Sequence, residues 1–174
     1  MKEIKVKLSA KSFNRLAKQM DKTCSALDEK ASILCEKLAK LGATQASLGF
    51  ISAVYDGIND VTVTWANDKK TCKIVANGNA AAFIEFGAGV TSGIGYPGNK
   101  PEGILPIGSF GQKKGLQEFW FYYGEPGTSG KVIAERDKGL LVKTYGNPPN
   151  AVMYETAKML ADNVVKVAKE VFAD

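Results

Sequence analysis

Ala80-Ala81-Ala82-Phe83-Ile84-Glu85-Phe86-Gly87-Ala88-Gly89 is a short apolar run that carries one carboxylate and stops in glycine. Phe83 and Glu85 alternate with Ile84 and Phe86, so the run reads as a β-strand with two usable faces. Gly87 and Gly89 close it, because they accept backbone angles that a residue with a Cβ resists. A carboxylate among such neighbours is costly to bury unpaired. Glu85 is therefore expected to accept hydrogen bonds from glycine-loop amides or to pair with a Lys or Arg.

Outward toward the N-terminus, Ile4, Val6 and Leu8 alternate with Lys5 and Lys7 as a short half-buried strand. Ser9 or Ser12 can cap the helix that follows. From Phe13 the apolar residues fall at Phe13, Ala17, Met20, Cys24, Leu27, Ala31, Leu34, Leu38 and Leu41, a 4-3 spacing held for four heptads. One seam position is bulky and the other mostly small. The spacing predicts a long helix packed along its seam on the protein's own sheet and second helix, with Gly42 as its left-handed C-cap. Val61-Thr62-Val63-Thr64-Trp65 and Thr71-Cys72-Lys73-Ile74-Val75 flank Asn67-Asp68-Lys69-Lys70, which predicts a hairpin. Asn77-Gly78 offers a further turn into the opening run. The strands read together as an antiparallel meander covered by the helices.

Residues 87–130 are rich in Gly and Pro and poor in periodic apolar residues, the pattern of a long loop or arm. They keep Tyr96, Phe110, Trp120 and Tyr122, which fits an arm that orders against a partner; Phe119–Tyr123 reads equally well as a core strand. Gly93-x-Gly95-x-x-Gly98 matches a dinucleotide fingerprint in letters, but Pro97 and Pro101 prevent the helix it needs. Gly124 to Lys131 is similar to a P-loop, yet its glycine spacing is wrong and Val132 stands where Ser or Thr is required. Lys138–Tyr145 is a last strand. Asn147 and Pro148 then introduce a helix with Met153, Ala157, Leu160, Val164, Val167 and Val171 on one stripe.

The chain has 174 residues, 45% of them apolar and 24% charged, which suits a single α+β domain spanning 1–174. No signal peptide or bilayer-crossing run is expected. Cys24, Cys35 and Cys72 are scattered and read as small reduced core residues, without the spacing of a zinc or redox site. The absence of histidine removes the commonest general base and metal ligand, so neither a cofactor nor a metal is expected, and the chain reads as no enzyme. The formal charge is +5. All of it arises in residues 1–40, which hold ten basic side chains against five acidic ones. Lys11, Arg15, Lys18 and Lys22 form a candidate basic face, either a solvated helix surface or a track for phosphates.

The aromatic-aliphatic-Glu-Phe-Gly-small-Gly pattern of Phe83–Gly89 resembles the signature of the tail-completion (neck, head–tail joining) proteins of tailed bacteriophages. Ala88 stands where that family usually has Thr. The order of parts is similar across nearly the whole chain: basic helix, strands, motif, variable Gly/Pro passage, proline-introduced helix. Pro148-Pro149 keeps the family's prolines and lacks its aromatic. The resemblance implies a structural subunit of a homo-oligomeric ring, a hexamer among the candidate stoichiometries, in the virion neck and assembled in the host bacterial cytoplasm. Implied partners are neighbouring neck, connector and tail proteins, with non-specific contact to DNA in the channel and none to membrane. Phe83, Glu85, Phe86, Gly87 and Gly89 would then belong to the subunit interface. The alternative is a stand-alone nucleic-acid-binding protein using the basic helix; a third, a hydrolase pairing Glu85 with Glu118 or Asp137, has no spacing argument behind it.

Overall fold

The computed structural model describes residues 10–68, 71–89, 94–99 and 117–173. The expected N-terminal strand, the Lys69-Lys70 tip of the hairpin and Phe110 lie outside the described residues. The elements run α1 (Ala10–Ile51), β1 (Thr62–Asn67), β2 (Cys72–Asn77), α2 (Ala81–Phe86), β3 (Trp120–Tyr123), β4 (Lys131–Arg136), β5 (Gly139–Thr144) and α3 (Val152–Phe172). This is an α+β mix of a long N-terminal helix, antiparallel sheets and a C-terminal helix, as the sequence predicts. Among the described residues the strands form two sheets instead of one meander. One is the expected β1–β2 hairpin, with Trp65 opposite Ile74; the other has the order β3-β5-β4. Strand β4 is an addition, with a bulge between Val132 and Ala134.

The apolar run Ala81–Phe86 is a helix, not a strand. Alternation over so few residues does not exclude a helical turn, and three alanines favour one. The start of α2 is fixed from outside: Asp60 accepts hydrogen bonds from the Asn79 and Ala80 amides, both 2.9 Å. Ile84, Glu85 and Phe86 are buried consecutively, which a strand with two faces would not do.

Gly42 does not end α1. A Cβ there would collide with Ile74 Cδ1 and lie 2.8 Å from Leu160 Cδ1, so the glycine lets three elements converge in mid-helix. The face of α1 that packs is Ala39, Gly42, Ala43, Ala46 and Phe50, displaced from the heptad seam. The core cluster joins Ala46 and Phe50 to Ala80, Ile84 and Val152, with Met153, Val63 and Ala76 packed around it. Full burial of Phe50 and Ile84 contributes roughly 2–3 kcal/mol each. The expected packing of the seam on this chain's own sheet fails over its first half: Phe13, Met20 and Leu27 are 51%, 58% and 51% exposed. At the end of β1, Asn67 Nδ2 donates a long hydrogen bond (3.5 Å) to the Ser32 hydroxyl oxygen of α1.

Candidate functional site

The C-terminal end of α2 meets the N-terminal end of α3, and Glu85 joins them. The first free amides of a helix need acceptors, normally from the N-cap side chain. Here the N-cap is Ala151, in a left-handed conformation at φ 50°, and offers none. Glu85 supplies them from 68 and 69 residues away. Its Oε2 accepts from the Met153 amide (2.8 Å) and its Oε1 from the Tyr154 amide (3.1 Å). The negative carboxylate also faces the positive end of the α3 dipole. The Tyr96 hydroxyl donates to the same Oε1 at 3.0 Å. The amide donors expected for Glu85 are thus helical ones, not those of the glycine loop.

The backbone repeats the junction. Asn150 and Ala151 amides donate to the carbonyls of Ile84 (2.9 Å) and Glu85 (3.1 Å). Asn150 also brackets Val54, accepting from its amide at 2.8 Å and donating to its carbonyl at 2.9 Å. Asn147, expected to cap α3, instead donates to the Phe83 carbonyl (3.0 Å) and accepts from the Ala88 amide through its own carbonyl (2.8 Å). Gly87 turns the chain at φ 84°, and a Cβ there would lie 2.8 Å from Asn147 O and Pro149 N. Gly89 gives room to the Trp120 ring, 2.7 Å from where its Cβ would be. Glu85, Phe86, Gly87 and Gly89 are buried against this chain's own segments, and Phe83 is half-buried. Within this chain they act as internal joints.

Of the candidate arm residues, Tyr96 lies against this junction, its ring 4.9 Å from Phe86 and 6.0 Å from Tyr154. Burial, and then the hydrogen bond to Glu85, pushes its phenol up to about 12. Trp120 and Tyr122 belong to β3, so the strand reading of Phe119–Tyr123 is the one found.

Two further carboxylates do similar work unannounced by any motif. Asp56 Oδ1 accepts from the amide and hydroxyl of Ser129 (2.8 and 2.7 Å), and its Oδ2 from the Thr144 hydroxyl (2.6 Å). This clamps the β3–β4 turn, the stretch that is similar to a P-loop, onto the segment after α1. Asp60 holds the start of α2, and the Ala80 and Asn79 amides keep its carboxyl below the usual range. The signal for both was present in Tyr55-Asp56-Gly57-Ile58-Asn59-Asp60, a turn-rich link with two short acceptors.

Among the described residues, two surfaces and a groove are open. On the outer face of the three-stranded sheet, Phe119, Phe121, Tyr123 and Tyr145 are 38–51% exposed, around Lys143, whose Nζ stands 3.8 Å from the Phe119 ring centre and 4.8 Å from that of Tyr145. On α1, Lys11, Arg15, Lys18 and Lys22 are exposed along one flank. An open groove lined by Gln45, Ser52, Asn150 and Glu155 runs between α1 and α3. Glu118 and Asp137 are exposed, at the entry to β3 and in the β4–β5 turn. Among the described residues no cluster of three or more His, Cys, Asp or Glu is placed to hold a metal ion, and no helix is long and apolar enough to cross a membrane. No protein-family model, curated protein or solved structure matches the chain.

Proposed function

We propose that this chain is a structural assembly protein of a phage or phage-tail-like particle, acting as a ring subunit at the head–tail junction of the virion. The observation that carries this reading is the aromatic outer face of the β3-β5-β4 sheet. Large aromatics held in a contiguous exposed patch mark a surface that is covered in use. The Glu-Phe-Gly motif supports the same reading by its role: both carboxylate oxygens of Glu85 are engaged in holding two helices together. In this account the motif fixes the body from which the contact surface is presented, and the protein works by joining its own copies and the neighbouring neck and tail proteins. Negative-stain imaging of the purified chain tests it. Closed rings are expected, and their loss on Phe121→Glu with unchanged circular dichroism. Single particles under all conditions, alone and with candidate neck partners, would count against it.

A second reading, a stand-alone nucleic-acid-binding protein, is favoured by the exposed row of Lys11, Arg15, Lys18 and Lys22. Duplex DNA affinity of the isolated chain, falling steeply with salt, would support that reading over the first.

A further inference from the structure

Residues 13–31 of α1 are exposed apart from Leu16 and Lys30, which are partly covered, and yet they carry a regular seam of bulky Phe13, Met20 and Leu27 alternating with small Ala17, Cys24 and Ala31. We propose that this seam is covered by the same stretch of a second copy of the chain, running antiparallel about a twofold axis near residue 22. A heptad seam is complementary to another heptad seam, knobs of one filling holes of the other. The alternation of sizes selects the direction. In a parallel, in-register pair Phe13 would meet Phe13 and Ala17 would meet Ala17, so layers would be overfull and hollow in turn. In the antiparallel pair Phe13 meets Ala31, Ala17 meets Leu27 and Met20 meets Cys24. Every layer then holds one bulky and one small side chain, at even packing density.

The basic row Lys11, Arg15, Lys18 and Lys22 lies on the side of α1 opposite the seam, so it stays in solvent and leaves the contact to the apolar layers. Asp21 meets its own copy across the axis at the solvent edge, where water screens the pair. The overlap spans about three heptads, roughly 30 Å of helix. The contact is twofold and confined to α1. It is separate from the head-to-tail contact of a ring and does not rest on that reading.

Disulfide trapping of the full chain tests the proposal. Met20→Cys, at an exposed position, should on mild oxidation with diamide give a dimer joined between position 20 and Cys24, located by peptide mass. The wild-type chain should give no Cys24–Cys24 dimer, because those residues lie in different layers. Leu27→Glu, also at an exposed position, should abolish the cross-link while leaving circular dichroism unchanged. A Cys24–Cys24 dimer of the wild type would overturn the antiparallel arrangement. A Met20→Cys chain that stays uncross-linked at high concentration would overturn the pairing itself. Rings that persist in Leu27→Glu, with the cross-link lost, would leave both this contact and the ring standing as separate interfaces.

Discussion

Glu85 is 6% exposed and satisfies two α3 amides that have no other acceptor of the N-cap kind. A lost cap costs about 1 kcal/mol, and buried amides left unmet cost about 1–3 kcal/mol more. Glu85→Ala is therefore expected to lower the unfolding free energy by about 2–4 kcal/mol in urea titration, and Glu85→Gln, which keeps an acceptor, by about half as much. Equal, negligible losses in both would contradict the capping role. Asp60 acts through charge at the other end of α2. Its folded carboxyl is held below its unfolded value of 3.8 by the Ala80 and Asn79 amides. The stability it adds is thus complete above that value and is lost as pH falls through the lower, folded one. Below about pH 4 the urea midpoint of the wild type should fall faster than that of Asp60→Asn; parallel acid limbs would show that Asp60 contributes nothing. The particular amides that Glu85 meets were not legible in sequence. Glu85 stands out as the one charge in an apolar run, but its partners are 68 and 69 residues away, and no spacing rule reaches that far.

At the level of elements, the crossing of α1 and α3 depends on two glycines that differ in what they meet. At Gly49 a Cβ would lie 2.6 Å from Val152 Cγ1 and 3.5 Å from Val152 Cβ, and a buried β-branched side chain moves only in large rotamer steps. At Gly42 the obstacles are the ends of Ile74 and Leu160, which can swing aside. Ala in place of Gly favours a helix by about 1 kcal/mol, whereas overpacking costs about 1–3 kcal/mol. Gly49→Ala is expected to destabilise the protein by about 1–2 kcal/mol, and Gly42→Ala to be close to neutral, by thermal and urea unfolding. The reverse order would contradict the packing described for Val152. The same comparison explains what was readable. The long helices and the β1–β2 hairpin announce themselves through extended periodic patterns. Gly42 looks like a stop signal because a C-cap and a close helix crossing demand the same missing Cβ. Six residues of α2 are too few to separate a period of 2 from one of 3.6, so tertiary capping by Asp60 decides. β4 escaped notice because its two β-branched residues sit across a bulge, within a passage dominated by glycine.

For the whole molecule, long-range polar clamps set the frame. Asp56 to Thr144 spans 88 residues and Asn150 to Val54 spans 96, so the link after α1 is tied to both the sheet and the start of α3. On that frame the outer face of the sheet and the free half of α1 are left as two apolar surfaces of different shape, one flat and aromatic, the other a ridged seam. A self-complementary seam closes a twofold pair, whereas a head-to-tail ring needs a separate contact surface, which the sheet face offers. We propose that both surfaces join chains. Sedimentation velocity over a wide concentration range, on the wild type and on Phe121→Glu, tests it most directly. The account predicts a wild-type assembly larger than a dimer, reduced by Phe121→Glu to the dimer held by α1. A wild type that sediments as a single chain at every concentration, or a large assembly that Phe121→Glu leaves intact, would contradict it.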